Sequence, residues 1–337
     1  MNVRDFDVYA DCAASAPILK CAWDVMSQAY AEGWGNPNSV HAAGREARKH
    51  LDEARETIAG CINASPGEIA FTPSATAACA AGVLAVQCTA CSAHEHKAVF
   101  DLFPTLYFSG NGIAQILASN ETGEVFVSYV RTVAHSMPVF TDATAAVGQI
   151  PVDVKDLGVE ALAAGGHKFG AFPGIGFVYI KGGVKDKDAF PGTPPVALAV
   201  AMAETLKYRT THMADSMQYL MEQTAALAMS IQNIPGAHIN TPFKGRLPNI
   251  LSVRFDGVNA RELLTALDVN GVYASAGSAC TADSDEPSRV LLASGLTEEQ
   301  ALSTIRLSFC PETPPKAFEC TADVLRRCVS NIRNLSK

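Results

Sequence analysis

Val40, Ala43, Ala47, Leu51, Ala54 and Ile58 recur at steps of three and four, with charged residues on the other face. That period predicts one helix over 39–62, with Ser39 as its N-cap. Pro66-Gly67 breaks the pattern, Glu68-Ile-Ala-Phe71 reads as a short strand, and an alanine-rich run predicts a helix over 77–86. Short apolar runs at 114–118, 138–141, 162–164 and 176–180 read as further strands, with helical stretches between or after them, notably 196–231. Strands alternating with helices predict an α/β domain: a mostly parallel sheet with helices on both faces. From about residue 240 the rhythm changes. Asn249–Phe255 alternates as a strand, 260–267 reads as a helix, Ile305–Phe309 as a strand and 317–335 as a closing helix. The expected organisation is therefore a large domain over 13–239 and a smaller α+β domain over 240–337 together with 1–12. No internal repeat or low-complexity linker interrupts it.

Composition narrows the function classes. The chain has 337 residues, 48% of them hydrophobic, enough for a large core. A net charge of −8 without a basic run argues against nucleic-acid binding. Residues 1–15 lack a signal-peptide core, and no run reaches the roughly 18 apolar residues of a membrane span, so a cytoplasmic protein is expected. The ten cysteines are then expected to be reduced thiols. Cys88-x-x-Cys91-x-x-His94-x-His96 has the look of a metal site, but its flanks are strand-like. At roughly 3.3 Å per residue, an extended segment sets Cys88 and His96 about 26 Å apart and turns Cys88 and Cys91 to opposite faces. No metal site and no thioredoxin-like pair is expected there.

The candidate chemistry gathers where strands end, which is where open α/β sheets bind ligands. Thr72-Pro-Ser-Ala-Thr76 joins a strand to a helix, and its hydroxyls and free N–H groups suit a phosphate, although Ser74 or Thr76 could equally be an ordinary N-cap. Asn120 follows the run Ala114–Ser119. Asp142 ends Val139-Phe-Thr-Asp; it could cap a helix or pair with a pyridinium nitrogen. Lys168 closes the apolar run Ala161–Gly166 beside His167. A lysine there either lifts its ammonium into water or, partly desolvated, supplies a nucleophilic amine able to form a Schiff base with pyridoxal phosphate (PLP). Phosphate anchor, ring-nitrogen acid and lysine, in that order, are the parts of a PLP enzyme.

Order and wording together resemble the cysteine desulfurases, PLP enzymes of the class V aminotransferase group. The match runs through Tyr9-Ala-Asp-Cys-Ala-Ala-Ser-Ala-Pro17, Gly35–His41, Gly44-Arg-Glu-Ala47, Glu95-His-Lys97, Asn120-Glu-Thr-Gly123, Thr141-Asp-Ala143 and Gly166-His-Lys168. It continues through Gly192-Thr193, Ser275-Ala-Gly-Ser-Ala-Cys-Thr281, Glu286-Pro-Ser288 and Ile305-Arg-Leu-Ser308. The resemblance implies a fold type I PLP-dependent transferase. In it Lys168 holds PLP and moves the substrate Cα proton, His96 stacks on the ring, Asp142 pairs with the ring nitrogen, and Asn120 lies near cofactor and substrate. Ala75, Thr76 and His167 contact the phosphate, Gly166 belongs to the cofactor site, Thr193 reaches the phosphate across a homodimer, and Arg306 binds the carboxylate of L-cysteine. Cys280, on a Gly- and Ser-rich loop of the long-loop type, carries a persulfide to an acceptor protein, as in iron–sulfur cluster assembly. The other nine cysteines read as small hydrophobes, with Cys310, just after the Arg306 strand, the least certain.

The chain also departs from that pattern. Ala77 stands for an acidic residue, Cys79 for an asparagine, Ala145 for a glutamine and Gly165 for a serine, and the stretches 96–120 and 180–192 are short. These changes remove cofactor contacts, each worth about 0.5–1.5 kcal/mol as a hydrogen bond, but spare Lys168, His96, Asp142, Cys280 and Arg306. An active desulfurase is expected. Another PLP reaction on the same fold, such as selenocysteine lysis or transamination, and a non-catalytic homologue remain as alternatives.

Overall fold

A computed structural model describes residues 7–103, 110–184, 192–277 and 286–335. The chain divides into two compact units: 15–118 with 126–213, and 1–14 with 119–125 and 214–337.

The larger unit is built on a six-stranded sheet. Its order is Ile69–Thr72, Gly176–Ile180, Ala161–Gly165, Val139–Asp142, Gly112–Ala114, Cys88–Cys91. The last four strands pair in parallel; only Gly176–Ile180 runs against its neighbours. The central strands are buried along their whole length, as a sheet covered on both faces requires. The alanine-rich helix Ala75–Val86 lies close on the sheet. A Cβ at Gly82 would come within 2.4 Å of the Phe140 ring, so glycine permits the approach.

Several boundaries differ from the sequence reading. The long amphipathic helix is Ala42–Cys61, capped by His41, whose Nδ1 accepts from the Gly44 N–H at 3.2 Å; Ser39 is not the cap and Val40 is exposed. The stretch 196–231 is two helices, Val196–Thr211 and Met213–Gln232, broken at His212. Lys20–Glu32 is a helix that the sequence reading lacked. Its mixed polar pattern buries only Ala22 and Ala29, so it carries little periodic signal.

The smaller unit has the antiparallel order Thr304–Ser308, Ile250–Phe255, Ala237–Ile239, and a parallel pair, Val8–Tyr9 with Val272–Tyr273. The helices Ala260–Val269 and Pro315–Leu335 bring Leu263, Leu267, Phe318 and Leu325 into its core. The boundary expected at 239/240 falls instead at 213/214. The reason is burial: Leu220, Leu227 and Ile231 sit in this same core, each worth about 1.5–3 kcal/mol. Residues 119–125 join the unit as well. The Val125 N–H donates to Gly245 O, the Leu247 N–H to Gly123 O, and Thr241 Oγ1 to Thr122 O at 2.7 Å. Among the described residues no helix is long and apolar enough to cross a membrane.

Candidate active site

Register sets the site of the larger unit. Gly176 stands opposite Thr72 on one side and Gly165 on the other, and Asp142 is level with Ala163. The strands ending at Thr72, Asp142 and Gly165 therefore leave the sheet on one edge. Two sheet spacings, roughly 10 Å, separate Thr72 from Gly165.

From Thr72 the chain turns into the helix Ala75–Val86. Thr72 Oγ1 donates to Ser74 O at 2.9 Å, and Ser74 Oγ accepts the Ala77 N–H at 3.1 Å, so Ser74 is the N-cap. The N–H groups of Ala75 and Thr76 are left to a ligand or water, with no acidic residue in the first turn. Two glycines let this end approach the sheet. A Cβ at Gly165 would lie 2.8 Å from Ala75 Cβ; one at Gly176 would lie 2.9 Å from Ser74 C and 3.1 Å from Ala75 N. A side chain at position 165 would therefore press on the start of the helix.

Gly166–Lys168 forms a single tight turn after its strand, with Gly166 buried and His167 and Lys168 half-buried. Gln149 Nε2 donates to the Lys168 carbonyl at 3.4 Å. Burial, and then the charge of Lys168, push the His167 pKa down to about 4, so this imidazole is neutral at neutral pH. Asp142 is buried and accepts the Thr144 N–H at 2.9 Å. Cys79 also hydrogen-bonds to it. Burial, followed by the charges of Asp142 and Glu95, holds that thiol far above the ordinary range, so it stays protonated and donates. The Thr144 hydroxyl is buried with no partner among the described residues. His96 caps Lys97–Phe100, its Nδ1 accepting from the Ala98 N–H at 3.1 Å, which places the ring proton on Nε2.

Thr193 is exposed in a cleft of about 420 Å³ with Tyr30 and Trp34, which neither Thr76, Asp142 nor Lys168 lines. Arg306 and Asn120 belong to the smaller unit. Arg306 is 1% exposed; its Nη1 donates to the carbonyls of Asn120 and Gly277, both at 3.1 Å, and its Nη2 to Asp11 Oδ1 at 2.5 Å. Asp11, 295 positions away, carried no local signal of this pairing. Glu121 is a further residue that sequence reasoning missed. It accepts from Ser288 Oγ, and burial raises its pKa, against the lowering effects of Ser288, Arg306 and Arg289. Cys280 lies outside the described residues. Cys310 and Cys12 are buried and hydrogen-bonded to each other, and that contact together with burial pushes the Cys12 thiol up, an unreactive setting. Of the metal-like run, Cys88 is buried in the core and His94 packs on Phe126, ring centroids 5.1 Å apart. Among the described residues no three metal-ligating side chains cluster.

A glycine-lined helix start suited to a phosphate, a buried carboxylate and a strand-end lysine fit PLP, and with this sheet they define the fold type I PLP-dependent enzymes. The chain belongs to the aminotransferase class V family, whose profile matches residues 8–101, 112–188 and 186–317. The interruptions fall in the two stretches that are short in this chain. It is 30% identical to the cysteine desulfurase IscS of Dictyoglomus turgidum over 379 aligned positions, covering 98% of this chain and 96% of that protein. Among solved structures it resembles a NifS-like protein (25% identity, TM-score 0.86, 96% of this chain and 100% of the other). It also resembles SspA in complex with cysteine (25%, 0.75, 91% and 100%).

Proposed function

We propose that this chain is a cysteine desulfurase, converting L-cysteine to L-alanine and leaving the sulfur as a persulfide on Cys280. The observation that carries this reading is the strand-edge set of Lys168, Asp142 and the Ser74–Thr76 helix start, in a chain alignable end to end with cysteine desulfurases.

PLP, when bound, supplies the electron sink that makes a Cα proton removable. Lys168 Nζ is the base that takes this proton. Asp142 would hold the proton of the ring nitrogen, and the Cys79 S–H and Thr144 N–H fix its carboxylate for that task. The Ala75 and Thr76 N–H groups and the neutral His167 ring would meet the phosphate, while His96 covers the ring. Arg306 would take the substrate carboxylate and Asn120 would border it. The Cys280 thiolate attacks the substrate sulfur: an S–S bond forms, the C–S bond breaks, and its electron pair stays with the carbon side, which is protonated and leaves as alanine. The persulfide then passes to an acceptor protein, with iron–sulfur cluster assembly as the route the family suggests. A cytoplasmic homodimer, with Thr193 reaching the partner subunit's phosphate site, completes the proposal.

The test is mass spectrometry of PLP-loaded protein after exposure to L-cysteine. One added sulfur on Cys280, with alanine released and both lost in Cys280→Ser, is expected. Neither alanine nor sulfide from the wild-type protein refutes the reading, and alanine formation untouched by Cys280→Ser points to a different PLP reaction.

A further inference from the structure

A guanidinium has five N–H donors in a planar fork. In Arg306 the two on Nη1 meet the carbonyls of Asn120 and Gly277, and one on Nη2 meets Asp11. Nε is buried and has no acceptor among the described residues. What remains is Nε–H and one Nη2–H, on the two nitrogens that share one edge of the guanidinium. That edge is the one that grips a carboxylate through two bonds. Arg306 thus has three donors spent on holding the group still and two left on neighbouring nitrogens.

Asp11 decides which edge is left without a protein acceptor among the described residues. Backbone alone would leave Nη2 free on both sides, and the group could tilt about its Nη1 contacts. The Asp11 carboxylate, 19% exposed, removes that freedom and gives the buried guanidinium a counter-charge. Asp11 is itself held by the chain: it bridges Ser308, while the Cys12 N–H donates to Ser308 O at 3.1 Å and the Ala13 N–H to Ser308 Oγ at 2.9 Å. It therefore moves with the strand that carries Arg306.

We propose that Asp11 is a positioning residue for substrate: it orients Arg306 so that the Nε/Nη2 edge receives the α-carboxylate of the amino acid. This rests on the desulfurase reading for the identity of the substrate, but not for the presence of a carboxylate site.

Three variants separate orientation from mere charge compensation. Asp11→Glu keeps the charge and displaces it by one methylene. Asp11→Asn keeps an acceptor in place without the charge. Asp11→Ala removes both. Orientation requires Asp11→Glu to raise KM for L-cysteine about 10- to 100-fold, the range of one hydrogen bond between charged groups, with kcat within about threefold and an unchanged melting temperature. Asp11→Asn should return KM to within about threefold of wild type, and Asp11→Ala should resemble Asp11→Glu wherever it folds. A second readout is L-alanine binding, followed by the change it makes in the visible spectrum of the PLP-loaded protein, or by thermal shift. It should weaken in parallel with KM and needs no desulfuration. A folded Asp11→Glu whose KM and L-alanine affinity both stay within twofold of wild type overturns the proposal, as does a loss confined to kcat. If wild-type protein binds L-alanine but releases no sulfur from cysteine, the desulfurase reading fails while the Asp11 test still stands.

Discussion

Replacing Gly176 by alanine probes the packing of strand against helix start directly. The added Cβ would lie 2.7 Å from Ala164 O, 2.9 Å from Ser74 C and 3.1 Å from Ala75 N. Carbon–carbon contacts are comfortable at about 3.5–4.0 Å, so the Ser74 contact alone is some 0.6 Å too close. All three atoms are backbone, and Ala164 is held in a central strand by the pairing of Ala163 to Val178 and Gly165 to Gly176. The strain must therefore be relieved at the Ser74–Ala75 turn, which carries the N–H groups suited to the phosphate. Overpacking of this kind costs about 1–3 kcal/mol, or a fall in Tm of roughly 2–10 °C. Loss of one hydrogen bond to an anion weakens PLP binding about tenfold or more. The assay is PLP titration by visible absorbance, with thermal melts of the PLP-free protein. Gly60→Ala is the control: Gly60 lies in the helix Ala42–Cys61 with nothing within 4 Å of its missing Cβ. That change should be neutral or stabilise by up to about 1 kcal/mol. A Gly176→Ala protein with wild-type Tm and PLP affinity would refute the reasoning.

Lys168→Ala should abolish the visible band that PLP gives in the wild-type protein while leaving the fold intact by circular dichroism; a band that persists removes Lys168 from its assigned role. Cys79→Ala deletes a thiol donor to Asp142, and PLP should then bind about 2- to 10-fold more weakly, as read by equilibrium dialysis. His167 gives a pH signature. Its folded pKa of about 4 lies below the ordinary 6.5, so the unfolded chain binds the extra proton first. Its contribution to stability is complete above about pH 6.5 and is lost as pH falls toward 4. Melting curves of PLP-free protein should show His167→Gln flattening that window, and an unchanged slope would exclude the assignment.

The sequence determined the elements whose burial is periodic or continuous. The strands ending at Asp142 and Gly165 and the helices Ala75–Val86 and Pro315–Leu335 are legible because an apolar face must be hidden whatever its partner. Asp142 and Lys168 were legible as positions at or just past a strand end too, since a polar group closing an apolar run marks such an end, and Thr72–Thr76 was legible as the link from a strand to a helix. The helix Lys20–Glu32 was not, because only two of its side chains are buried. Nor was the membership of 119–125 and 214–239 in the smaller unit, which depends on what those segments pack against and not on their own period. Only the tertiary structure could pair Asp11 with Arg306, Cys79 with Asp142, or Gly176 with Ser74. A hydrogen bond or a steric fit between residues far apart in the chain leaves no local pattern, and it exists only once the backbone has brought the two together.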